Sequence, residues 1–269
     1  MIDPSIETEL RAVLDDVPPV NHAFGYGSGV LPQPLRDDEG PSASARDHAA
    51  TGSVVDFVFA VDDPRAWHRR NMTMNPSHYA PHLRALGGGT VAALADRVGA
   101  GVHYNTLIPW TKTSSSARLA PTTFKYGVVS VNAMCDDLVN WRHMFVAGRM
   151  QKPVVALGRP DPRVTAAQTI NARSALAAAL LLLPEEFSRE DLLASLCGLS
   201  YAGDVRVALG AEDVDKVRRI ATGSERGLME MYRDAVKVVG SDLAGLTMGR
   251  GGEVWRRDGS PAARSALFA

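Results

Sequence analysis

The chain has 269 residues, 45% of them apolar and 22% charged, with 29 Lys and Arg balanced by 30 Asp and Glu. That length allows one large domain or two modest ones with a substantial core, and the composition excludes a collagen-like, wholly disordered or disulfide-dense protein. The near-zero net charge provides no global steering towards a polyanion, so no nucleic-acid partner is expected.

Residues 5 to 15 carry Ile6, Leu10 and Leu14 at helical spacing before VPPV stops the helix. An apolar approach then leads into a glycine-rich turn, Gly25-Tyr26-Gly27-Ser28-Gly29. The stretch 34 to 52 mixes Pro, Asp, Glu, Gly, Ser and His without periodicity and reads as an exposed, mobile insertion. Val54 to Val61 is a β-branched and aromatic run with one acid inside it, Asp56. Pro64 opens a helix that Asp62 or Asp63 is placed to cap. Strands are expected over 102 to 108 and 124 to 131, joined by a Thr/Ser-rich hairpin connection, with helices over 84 to 98 and 134 to 148.

Together these predict an α+β fold with a mixed sheet of roughly four strands and flanking helices over residues 1 to 160. From Thr165 the pattern is mainly helical, including a helix started by Ser188 with Asp191 three residues on. We therefore expect a catalytic domain at 1–160, a helical domain at 161–248 and a fraying tail at 249–269. Cys135 and Cys197 form no CxxC or Cys/His cluster and read as small buried hydrophobes. The acidic N-terminal stretch has neither the pattern of a secretory signal nor that of a transit peptide. The longest apolar run, Ala175 to Leu183, would be about 14 Å long as a helix, against a bilayer core of about 30 Å.

The glycine-rich turn fails both standard nucleotide motifs, GxxxxGK[ST] and GxGxxG. A strand, a Gly-Ser turn and an acid on the next strand nevertheless resemble the outline of the nucleotidyltransferase superfamily, although the bare pattern equally fits a plain tight turn. In that arrangement backbone amides and a hydroxyl hold phosphates, and carboxylates hold a metal. The wider set of segments is more specific: GYGSGV at 25 to 30, DFVFAVDDPRAWHRRN at 56 to 71, NPSHY at 75 to 79, GAGVHYNTL at 99 to 107, FKYGVVS at 124 to 130, VAGRMQKPV at 146 to 154 and GLSYAGDVR at 198 to 206. In this order they resemble the mitochondrial translocator assembly and maintenance family of phosphatidate cytidylyltransferases, the peripheral CDP-diacylglycerol synthases. The resemblance covers residues 22 to 210. It implies a nucleotidyltransferase domain followed by a winged-helix-like domain, with CTP and phosphatidic acid as substrates and Mg2+ or another divalent cation as cofactor. It also implies peripheral attachment to a membrane. With no transit peptide read, we expect the cytoplasmic face of a prokaryotic inner membrane, or the matrix side of the mitochondrial inner membrane for an organelle copy. Two alternatives are a nucleotidyltransferase with another acceptor and a non-catalytic factor in protein translocation.

Within that frame Gly27, Ser28 and Gly29 are the expected phosphate cradle. Asp56 is the expected metal ligand, because an acid in an apolar strand is costly unless it meets a cation. The superfamily places a second carboxylate two residues further along this strand, where Val58 stands here. Asp62 is about 20 Å away along an extended strand, so the second ligand is expected to be Asp204, ahead of Asp136 and Asp137. Lys125, on an apolar strand, is expected to neutralise phosphate. Arg149 and Lys152 add positive charge, and Asn105 is expected to reach the nucleotide. His68, Asn71, His78 and Tyr79 match the family motif but have the spacing of helix and turn packing.

Overall fold

A computed structural model describes residues 4–27, 29–31, 53–98, 100–111, 121–201, 216–248 and 254–268. The expected insertion at 34 to 52, Ser28 and Asp204 lie outside the described residues. The chain divides into two compact units, Met1–Asp137 with Val154–Thr165 and Leu138–Pro153 with Ala166–Ala269.

The first unit is built on a five-stranded mixed sheet in the order β3-β4-β2-β1-β5. The strands are β1 (His22–Tyr26), β2 (Ser53–Val61), β3 (His103–Pro109), β4 (Pro121–Ser130) and β5 (Val155–Ala156). β2 and β4 run parallel, and the other pairs are antiparallel. The fold class expected from the sequence is therefore correct. The fifth strand escaped detection because two residues carry no period.

Alternation sorts β2 into two faces. Val55, Phe57, Phe59 and Val61 join Ile108, Phe124, Tyr126 and Val128 in one apolar core, leaving Asp56, Val58 and Ala60 on the opposite face. Helix α1 (Pro4–Arg11) contributes Ile6 and Leu10 to the same core. α2 (Pro64–Met74) starts at Asp63, whose carboxylate accepts from the Arg65 and Ala66 amides. α3 (Pro81–Val98) is kinked at Gly87, where φ is 79°. The helix expected over 134 to 148 is two: α4 (Val131–Asn140) and α5 (Val146–Met150), separated by left-handed backbone at Trp141 and Met144.

The second unit is helical, with α6 (Pro162–Leu182) from Ala166 onward, α7 (Arg189–Gly198), α8 (Lys216–Gly223), α9 (Glu225–Ala235) and α10 (Pro261–Phe268). A second, three-stranded sheet orders β6 (Glu186–Ser188), β8 (Val254–Arg256) and β7 (Thr247–Met248) as β6-β8-β7. The capping box at Ser188 and Asp191 forms as the spacing predicts. Two expectations differ. Residues 138–153 belong to this unit rather than to the first, held by Asn171, which donates to the Ala147 carbonyl and accepts from Trp141 Nε1. The tail does not fray throughout. Trp255 and Leu267 are buried in the core of this unit, so strand β8 and helix α10 are anchored by apolar contact.

Candidate active site

The site is assembled by one row of the sheet. Tyr26 on β1 is the cross-strand partner of Asp56 on β2, and Asp56 is that of Lys125 on β4. Lys125 Nζ lies 3.1 Å from Asp56 Oδ1, with side-chain exposures of 38% and 23%. Lys125 is on an interior strand of the sheet, so it is not an edge lysine guarding against aggregation. Its ammonium balances the charge of a carboxylate that stands, partly exposed, on an otherwise apolar strand.

β1 ends directly beside this pair. Val30 and Leu31 amides both donate back to the Gly27 carbonyl, at 3.1 and 2.9 Å, which closes the turn. Gly27 has φ 80°, a left-handed conformation that glycine adopts without steric cost. A Cβ placed there would stand 3.6 Å from Asp56 Oδ2. At Gly29 a Cβ would lie 2.2 Å from the Val54 carbonyl oxygen, so the turn packs backbone to backbone on β2. The sequence thus brings Gly27, Gly29, Asp56 and Lys125 together.

Other expected residues sit elsewhere. Asp62 accepts from Asn21 Nδ2 and from Arg163, which hold its carboxyl below the usual range and occupy it. Asn105 is 3% exposed and pairs with Tyr126 on the opposite face of the sheet from Asp56. There it joins a buried polar cluster rather than an open surface. His68 Nδ1 lies 2.8 Å from the Tyr79 hydroxyl, and Asn71 Nδ2 donates to the hydroxyls of Tyr79 and Tyr126. His78 Nδ1 is 2.9 Å from the Tyr126 hydroxyl. Burial drives the His68 pKa down to about 3, helped by nearby His103, and pushes the Tyr126 phenol up. These motif residues lock α2 and the 76–79 turn to β4, the packing role their spacing suggests.

Arg149 and Lys152 belong to the second unit. Arg149 folds over the Phe145 ring, 3.8 Å from its centroid, and donates to the Phe145 carbonyl. Lys152 donates to the Gly148 carbonyl and to Ser200 Oγ. Gly148 is required there, since a Cβ would stand 2.5 Å from that of Ser200. Among the described residues no group of three or more His, Cys, Asp or Glu is placed to hold a metal ion.

Tyr26 and Tyr104 were not anticipated. They project from the Asp56 face and their hydroxyls meet at 3.0 Å. Only strand register reveals this, because 78 residues separate them.

The family described as phosphatidate cytidylyltransferase, mitochondrial, matches residues 10–267. The chain belongs to this family. Among its curated relatives, the phosphatidate cytidylyltransferase, mitochondrial, of Xenopus laevis is 42% identical over 226 residues, 83% of this chain and 61% of that protein. The Homo sapiens protein of that name is 41% identical over 82% of this chain and 45% of its own length. That of Drosophila melanogaster is 40% identical over 85% and 64%. The chain therefore spans less than two thirds of each of these family members. No helix among the described residues is long and apolar enough to cross a membrane.

Proposed function

We propose that this chain is a phosphatidate cytidylyltransferase, joining CTP and phosphatidic acid to give CDP-diacylglycerol and pyrophosphate at a membrane surface. The single observation that carries the reading is the row formed by the glycine turn, Asp56 and Lys125 on one face of the sheet. The family's name supplies the substrates. Peripheral attachment agrees with the lack of a spanning helix among the described residues. The relatives' name favours the mitochondrial location over the prokaryotic one.

The donor set fits a divalent cation of the magnesium type, which is commonly held by one or two carboxylates with substrate phosphates completing its shell. Asp56 would hold it with the phosphate oxygens, and the bound cation would withdraw charge from the α-phosphate and the leaving pyrophosphate. Asp204 would be its second protein ligand.

The chain's own groups do the rest. The turn at Gly27 brings backbone, with no side chain in the way, to the edge of the Asp56 carboxylate, as close approach of phosphate oxygens requires. Lys125 neutralises Asp56 in the free protein and would turn its ammonium to the anionic phosphate of bound substrate. The phosphate monoester of phosphatidic acid is largely ionised near neutrality, so it attacks without a dedicated general base, and positioning dominates the chemistry. The low pKa and full burial of His68 leave it unsuited to proton transfer with substrate. Arg149 and Lys152 are proposed to bind phosphate.

The test is pyrophosphate release from CTP on addition of phosphatidate, comparing the intact chain with Asp56→Ala. A folded variant with turnover lowered at least about a hundredfold, as for loss of a major electrostatic contact, supports the reading. Full activity in Asp56→Ala would refute it.

A further inference from the structure

β3 leaves its ladder at one place. Asn105 pairs with Tyr126 and Ile108 with Phe124, so Thr106 and Leu107 together oppose the single residue Lys125. This is a β-bulge, a feature concentrated beside functional sites, where it re-aims side chains. Asn105 and Ile108 face the polar cluster and the apolar core. By alternation the two bulge residues fall on the other face, that of Lys125 and Asp56.

Leu107 is conspicuous on two counts. Its φ is 57°, a left-handed conformation that is costly for a residue with a Cβ and that one class of bulge gives to glycine. It is also 79% exposed. A scattered exposed apolar residue is ordinary on its own; Leu86, 59% exposed, is one. Among the described residues two other non-glycines have positive φ, Trp141 and Met144, and both are half-buried. Leu107 alone combines the strained backbone with open exposure of its side chain. Across the sheet the order is then carboxylate, ammonium and hydrocarbon: Asp56, Lys125, Leu107.

We propose that Leu107 is a lipid-contact residue, meeting the acyl region of a phosphatidate molecule whose phosphate monoester is drawn to the Lys125 side of the site. The inference rests on the cytidylyltransferase reading and adds to it the direction from which the lipid arrives. The glycine turn and Asp56 hold the nucleotide on one side of Lys125, and the bulge offers an apolar rail on the other. The occupant is a phosphate-bearing lipid in a bilayer rather than a protein segment, because the Lys125 cation and the Leu107 hydrocarbon stand side by side, complementary to the anionic phosphate and the acyl chains of that molecule.

The decisive variant is Leu107→Asn, which removes the hydrocarbon and suits left-handed backbone better. Leu107→Met, which keeps an apolar side chain, is its control. Two assays are run on the full chain: pyrophosphate release with phosphatidate in phosphatidylcholine vesicles and with water-soluble dihexanoyl phosphatidate, and co-sedimentation with the same vesicles. For Leu107→Asn we expect kcat/KM on vesicles to fall about tenfold, the size of one well-buried apolar contact. The loss on the short-chain substrate should be under threefold, sedimentation should weaken, and Leu107→Met should keep most of the vesicle activity. Equal losses on both substrates, or vesicle turnover and sedimentation like those of the unaltered chain, would overturn it. If the unaltered chain releases no pyrophosphate from CTP, the cytidylyltransferase reading fails by itself. Sedimentation then still decides on Leu107, with weaker binding of the Asn variant supporting the lipid contact and equal binding excluding it.

Discussion

The hydroxyls of Tyr26 and Tyr104 lie 3.0 Å apart although their strands, β1 and β3, are separated in the sheet by β2 and β4. The bridge crosses the face that carries Asp56 and Lys125, and Gly127 makes room for it. A Cβ at Gly127 would stand 2.7 Å from Tyr104 Cζ and 2.7 Å from Val102 Cγ1. Val58, where a second carboxylate would be expected, is the strand neighbour of Gly127 and is fully buried. A tyrosine pair thus spans a face that carries the single carboxylate of β2, Asp56, with Val58 beside it.

Tyr104→Phe keeps the ring over Gly127 and loses only the hydroxyl contact, so it should cost about 1 kcal/mol. Gly127→Ala displaces the ring from an interior strand and should cost about 1–3 kcal/mol. Urea unfolding of the two variants compares them. A Gly127→Ala protein as stable as the original would show that Tyr104 moves aside freely.

The two glycines of the turn should separate in the same way. Gly29→Ala drives a Cβ into the Val54 carbonyl, and backbone on an interior strand yields little, so a loss of about 2 kcal/mol or more is expected. Gly27→Ala meets nothing closer than Asp56 Oδ2 at 3.6 Å but must hold φ 80°, which costs about 1 kcal/mol. We therefore expect Gly27→Ala to remain folded with impaired CTP binding, and Gly29→Ala to lose stability first. Denaturation midpoints alongside CTP-induced thermal shifts provide the comparison; the reverse order of stabilities would contradict the packing described for Gly29.

Lys125 poses a different contrast. Its pair with Asp56 is partly exposed, and ion pairs in such settings stabilise by about 1 kcal/mol or less. Lys125→Met should accordingly leave the melting temperature within a few degrees, since about 1 kcal/mol moves a domain of this size by about 2–4 °C. Turnover with CTP and phosphatidate should nevertheless fall at least about tenfold, the effect of one lost charge contact to a phosphate. A large loss of stability with unchanged turnover in the surviving folded protein would make the pair structural.

The first unit was largely legible because its strands announce themselves: β2 and β4 are β-branched and aromatic, and Asp63-Pro64 is a helix start with a mechanism. Asp56 and the glycine turn were legible for the same local reason, an acid and small residues where apolar strand neighbours make them costly. What stayed hidden depends on register. No local pattern says that Tyr104 lies over Gly127, that two residues of β3 oppose Lys125, or that Asn105 turns away from the face that carries Asp56. The short strands of the second unit were missed because pairing and Trp255 burial, rather than length or alternation, make them strands. Residues 138–153 were misplaced because their partners, Asn171 and Ser200, are remote in sequence.

The buried cluster behind the sheet makes folding pH-dependent in a defined direction. Burial lowers the pKa of His68, His78 and His103, with His103 adding to the effect at His68 and Asp16 opposing it at His78. The Nε2 atoms of His68 and His103 are buried with no hydrogen-bond partner among the described residues, so a proton there would be an unsatisfied donor. The folded pKa lies below the unfolded one, so the unfolded chain binds protons first as pH falls. The stability due to neutral His68 is complete above about pH 6.5 and is lost progressively from there towards pH 3. With the folded value at about 3, His68 alone should remove about 2 kcal/mol by pH 5. His68→Asn retains a polar atom near Nδ1 for Tyr79 and cannot take up the proton. It should be less stable than the original at pH 8, where a cavity is the dominant change, and lose less on going to pH 5. Urea midpoints at pH 8, 6.5 and 5 measure the two slopes. Parallel slopes would mean that His68 takes up its proton as readily in the folded chain as in the unfolded one, and that the cluster has access to water.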